Sequence, residues 1–106
     1  MVERCPFQST LDLLGRKHNL TILWALSERR PRRFGELRDA LGVNPASLSE
    51  RLRDLEAAGV VTSTRYHEAP PRVDYDLTSG GVELLALLDH LRSWSADHAP
   101  RRRPTR

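Results

Sequence analysis

The sequence predicts a mainly helical α+β domain with one small β-hairpin. Three observations carry that class. Apolar residues recur at helical spacing through five segments of a 106-residue chain. Gly42-Val43-Asn44-Pro45 reads as a helix stop followed at once by a helix start. After Gly59 the period changes from helical to extended, and Ala69-Pro70-Pro71 interrupts the extended run where a hairpin needs its tip.

The elements follow in order. Residues 8–14 read as a short helix that starts at Ser9 or Thr10 and stops at Gly15. A second helix over 19–27 presents Leu20, Leu23, Trp24 and Leu26 as a broad apolar face, and Glu28-Arg29-Arg30-Pro31-Arg32-Arg33 breaks it. A third, over 34–41, places Phe34, Leu37 and Leu41 at i, i+3 and i+7. Gly42 tolerates a left-handed stop, Asn44 is a good N-cap and Pro45 suits a first helical turn. The fourth helix covers 46–58, with Leu48, Leu52 and Leu55 as one buried stripe. Its opposite side shows Ala46, Ser47, Ser49, Glu50, Arg51 and Arg53.

Two helices joined by a short turn, the second opened by small polar residues, have helix-turn-helix geometry. Residues 60–68 are rich in Val, Thr and Tyr, and Val73, Tyr75 and Leu77 alternate with charged residues. The hairpin they form stands directly behind the helix pair, so the expected architecture is a winged helix-turn-helix. Thr78 caps a last helix reaching 94 or 96, with Leu84, Leu87, Leu88, Leu91 and Trp94 as its stripe, widened by Val82 and Leu85. The expected domain covers 1–98, and 99–106 is expected as a flexible Pro/Arg tail.

Composition narrows the function classes. The chain is 39% hydrophobic and 29% charged, a balance that folds as a soluble globule. It contains no run near the roughly 18–20 apolar residues that cross a bilayer, so no membrane partner is expected. No apolar stretch follows Met1-Val2-Glu3-Arg4, so no signal peptide is expected, and a single cysteine points to the reducing cytoplasm. His18, His67, His90 and His98 lack ligand spacing, so no metal is expected. Phosphate loops, nucleophile elbows and paired carboxylates are missing too, which argues against a cofactor and against an enzyme.

The net charge of +3 is polarised. Residues 1–73 carry 12 cationic and 9 anionic side chains, whereas 74–100 carry one and five. Arg101, Arg102, Arg103 and Arg106 supply the remaining cations. A basic first two thirds points to a polyanion on one side of the molecule.

Double-stranded DNA is the partner that fits. A helix enters the major groove with its N-terminal residues against base edges. The candidate recognition residues are Asn44, Pro45, Ala46, Ser47, Ser49, Glu50, Arg51 and Arg53. Arg51 and Arg53 suit guanine edges or phosphates, and Glu50 suits a cytosine amino group or the rejection of wrong bases. Thr64, Arg65, His67 and Arg72 of the wing, with Arg32 and Arg33 ahead of the third helix, suit the DNA backbone. Arg29 and Arg30 are further phosphate candidates. The opposing reading has Arg51 or Arg53 paired with Asp54 or Glu56, in a winged helix used for protein–protein assembly without an operator.

Particular stretches then match a known family. Cys5-Pro6, Gly15-Arg16-Lys17-His18, Arg33-Phe34-Gly35-Glu36-Leu37, Leu48-Ser49-Glu50-Arg51-Leu52-Arg53-Asp54-Leu55-Glu56 and above all 66–78, with its Pro70-Pro71-Arg72-Val73 wing, resemble the HxlR-type (DUF24) winged-helix regulators of bacteria. The resemblance covers about 5–96 and implies a homodimeric transcriptional regulator, expected to repress, on a pseudo-palindromic operator. It departs at His18, where the family usually has Trp, and at Pro45 and Ala46, where Gln or Lys types are common. The helix's role carries over and its base preference does not.

The family's dimer interface is built from the N-terminal segment and the last helix. That implies Leu11, Leu84, Leu88, Leu91 and Trp94 as interface residues, and the apolar surplus on the last helix points the same way. In some members a cysteine at the position of Cys5 senses oxidants or electrophiles, which makes Cys5 the candidate redox sensor. The alternatives are an inert packing role for Cys5 and a small-molecule effector held between the dimer helices and the DNA-binding part.

Overall fold

A computed structural model describes residues 6–98, and Cys5 and the tail over 99–106 lie outside the described residues. The element order is α1 (Pro6–Gly15), α2 (Asn19–Glu28), β1 (Arg32–Arg33), α3 (Phe34–Leu41), α4 (Pro45–Ala57), β2 (Val61–Tyr66), β3 (Arg72–Leu77) and α5 (Ser79–His98). The helix-turn-helix and the wing stand where the sequence puts them.

The core lies where α2, α3, α4 and the sheet converge. Ile22, Leu23 and Leu26 of α2 meet Leu37 of α3 and the predicted Leu48, Leu52 and Leu55 stripe of α4, all essentially inaccessible to water. Each such side chain contributes about 1.5–3 kcal/mol relative to exposure. Val61, Leu77, Leu85 and Leu88 close the cluster from the wing and α5. At the α1–α2 corner, His18 is left-handed (φ 76°), and the buried Asn19 donates from Nδ2 to the Leu13 carbonyl at 2.8 Å.

The turn of the helix-turn-helix follows its local chemistry. Gly42 ends α3 with φ 64°, and its N–H reaches the Arg38 carbonyl at 2.9 Å. Two residues later the Asn44 Oδ1 accepts from the backbone N–H of Ala46 (2.8 Å) and of Ser47 (3.4 Å). Thr78 caps α5 as expected, accepting from the Gly81 N–H at 3.0 Å while donating to the Gly59 carbonyl at 2.6 Å.

Two expectations change. The sheet has three strands in the order β1-β3-β2, all antiparallel, not a hairpin alone. Arg32 pairs with Tyr75 and Arg33 with Asp74, so the segment read as a helix break adds a strand to the wing. Leu88, expected at a dimer interface, instead faces the protomer's own core, because the side of α5 carrying Leu85 and Leu88 packs inward.

Candidate nucleic-acid interface

At about 100° per residue, the core stripe of α4 leaves Ala46, Glu50, Arg53 and Ala57 at the centre of the opposite face, and all four are exposed. Asn44, Pro45 and Ser47 are exposed around the helix start, whereas Ser49 is half-buried. Small residues at the N-terminal end let a polyanionic partner approach the backbone closely. Asn44 cannot offer its carbonyl oxygen to such a partner, because the cap occupies it.

Arg51 is the correction to the predicted reading face. Its side chain is 11% exposed and turned inward, paired with Asp54 at 3.1 Å and with Glu50. The helical period explains this, since position 51 flanks the Leu48–Leu55 stripe. Asp54 also meets Arg16 of the α1–α2 corner at 3.4 Å. Arg53, two residues away, stands on the exposed face.

The wing sorts its cations in the same manner. Arg72 is held inside the hairpin, with Asp74 at 3.4 Å, Glu68 at 3.3 Å and its guanidinium 4.4 Å from the centre of the Tyr66 ring. These contacts tie Arg72, expected from the sequence at the DNA backbone, into the wing itself. Arg29 is paired with Glu36 at 2.8 Å and Arg30 with Asp76 at 3.5 Å. Arg32 turns its Nε onto the Arg29 carbonyl at 3.0 Å.

Arg33, Arg53 and Arg65 therefore stand exposed, in none of the ion pairs formed among the described residues. Arg33, Arg65 and Arg72 line a cleft of about 510 Å³ between α3 and the wing, floored by Phe34, Val73 and Tyr75. Burial pushes the Tyr75 phenol above its ordinary value, and Glu56 adds to the effect, so the ring stays neutral. Thr64 and His67 are exposed at the strand edge and the tip. Glu36 anchors this end of α3 by accepting from the Arg33 N–H at 2.9 Å. That bond, with the Arg29 and Arg33 charges beside it, holds its carboxyl below its ordinary value.

The residues placed at a dimer face divide as well. Leu11, Leu91 and Trp94 are exposed, while Leu84 is half-buried against the core. Phe7 and Leu87, the latter 69% exposed, join the exposed group. The sequence signal for Phe7 is its i, i+4 spacing to Leu11. Among the described residues no cluster of three potential metal ligands occurs, and no helix is long and apolar enough to cross a membrane.

Comparisons with known proteins agree with this geometry. The family model described as HxlR-like helix-turn-helix matches residues 13–103. An uncharacterized HTH-type transcriptional regulator, BH0655 of Halalkalibacterium halodurans, is 38% identical over 94 residues, covering 88% of this chain and 83% of that protein. The reduced form of the transcriptional regulator YodB from B. subtilis superposes with a TM-score of 0.81 at 30% identity, over 92% of this chain and 96% of that one. The redox regulator HypR in its reduced form superposes with a TM-score of 0.76 at 31% identity, over 87% and 91%. A helix-turn-helix with an exposed α4 face, a wing directly behind it and a family match across nearly the whole fold lead to one assignment: the chain belongs to the HxlR-like helix-turn-helix family of transcriptional regulators.

Proposed function

We propose that the protein is a cytoplasmic, homodimeric regulator that binds duplex DNA at a pseudo-palindromic operator and represses by occluding a promoter. The observation that carries this is the exposed α4 face bearing Arg53, flanked by the unpaired Arg33 and Arg65. α4 enters the major groove through Ala46, Ser47, Glu50 and Arg53. Arg33, Arg65, Thr64 and His67 follow the flanking backbone, and their charges set affinity without sequence. The second copy covers Phe7, Leu11, Leu87, Leu91 and Trp94, an apolar surface that a lone protomer leaves in water. Selection from random duplex DNA, followed by a salt titration on the selected site, tests the reading. Enriched inverted repeats and a log affinity falling linearly with log salt are expected. Absent enrichment with no salt slope would leave the assembly module as the better account.

Control of binding enters through Cys5 or through a small molecule. The redox names of YodB and HypR favour an oxidant acting on Cys5. A second site favours an effector: an apolar groove of about 530 Å³ where Leu13 of α1, Val60 and Leu84 of α5 converge. An electrophile that releases DNA from the wild type but not from Cys5→Ser supports the cysteine. Equal responses remove Cys5 as the sensor.

A further inference from the structure

One acid stands at the centre of the face that α4 offers to DNA. Glu50 lies between Ala46 and Arg53 on that face, and its side chain is 62% exposed. A carboxylate so placed is repelled by the phosphates unless a cation offsets it. Arg51 is that cation, reaching Glu50 from the inner side of the helix. The buried guanidinium is balanced in turn by Asp54 at 3.1 Å, and Asp54 by Arg16 at 3.4 Å. A chain of four alternating charges thus runs from the α1–α2 corner to the reading face.

We propose that Glu50 is a specificity-determining residue, its exposed carboxylate steadied by Arg51, Asp54 and Arg16, and that it reads the N4 amino group of a cytosine in each half-site. This rests on α4 being the recognition helix. The chemistry selects cytosine because the base itself presents only an amino donor in the major groove, whereas adenine sets its own N7 acceptor beside its amino group, and a carboxylate only accepts. Guanine offers two acceptors there, N7 and O6, and repels the carboxylate. Arg51, Asp54 and Arg16 act through Glu50 as positioning residues. Arg53, one turn on, remains free for a phosphate or a guanine beside the cytosine.

The test is selection from random duplex DNA with the full chain, comparing wild type with Glu50→Gln, Glu50→Ala, Arg16→Gln and Arg16→Lys. The wild type is expected to enrich cytosine at one position per half-site. Glu50→Gln is expected to turn that position toward adenine, since an amide both donates and accepts, while other positions keep their preference. Glu50→Ala is expected to lose discrimination there by about tenfold. Arg16→Gln should weaken the same preference, and Arg16→Lys should restore it, a pattern that general loss of stability does not produce. Glu50→Gln binding every sequence more tightly with unchanged base preference would overturn the inference, leaving Glu50 a repulsive group only. A wild type that enriches no sequence would overturn the recognition-helix reading itself, and this inference with it.

Discussion

Gly81, in the first turn of α5, lies so close to Val60 that a Cβ at position 81 would sit 2.2 Å from the Val60 carbonyl oxygen. That contact fixes the angle at which α5 leaves the wing and hence where its exposed stripe points. Gly81→Ala must move one backbone against the other, at a cost of about 1–3 kcal/mol. Gly80→Ala, whose nearest neighbour would be 3.5 Å away, should instead stabilise by up to about 1 kcal/mol through helix propensity. Urea unfolding of the two variants should move in opposite directions.

Capping of α4 rests on a single side chain. Asn44→Ala removes the acceptor used by the N–H groups of Ala46 and Ser47 and should destabilise the protein by about 1 kcal/mol. Asn44→Asp keeps the acceptor and should retain most of the stability. Thermal unfolding of both variants checks this.

Stability should fall in acid partly through Glu36. Its carboxyl titrates below the ordinary value of 4.5, first because it accepts from the Arg33 N–H and then because of the charge of Arg29. With the folded value depressed, the contribution is complete above pH ~4.5 and is lost as pH falls through the folded value. Denaturant midpoints between pH 3 and 7 should therefore drop less steeply for Glu36→Gln than for the wild type.

The faces of α5 should separate association from folding. Leu87 and Leu91 are exposed, so Leu87→Glu with Leu91→Glu should yield a folded monomer by analytical ultracentrifugation. Leu88→Glu places a charge in the core and should fail to fold, since an unpaired buried carboxylate costs several kcal/mol.

The cations should separate by salt. Arg65→Ala and Arg33→Ala should each lower the slope of log affinity against log salt by about one unit, uniformly across sequences. Arg72→Ala should act by loosening the wing that Glu68, Asp74 and Tyr66 hold, and so lower the melting temperature as well.

Elements whose signal is local were legible beforehand. The Gly42-Val43-Asn44-Pro45 turn, the Leu48–Leu52–Leu55 stripe, the Thr78 cap and the proline tip of the wing each rest on residues within one or two turns of each other. β1 was not legible, because two residues carry no period and its partner lies more than forty positions away at Asp74 and Tyr75. Arg51 and Arg72 are ambiguous in the sequence for a different reason, since their carboxylates lie close by and the Arg51–Asp54 pair is one of two readings open there. An arginine on a helix or strand reads as a surface cation until its carboxylates are located, and those of Arg72 lie on both sides of the hairpin turn.

The order of residues alone therefore settled the class of the fold, the helix that faces outward behind its cap, and the family motifs, since all depend on spacing along one element. Which cations remain free, which α5 leucines turn inward and how Glu50 is backed by Arg51, Asp54 and Arg16 waited for the packed chain. Charge pairing and burial are properties of distance in space: Arg51 and Arg72 have several carboxylates within a few positions, and only the packed chain decides which of them each one meets.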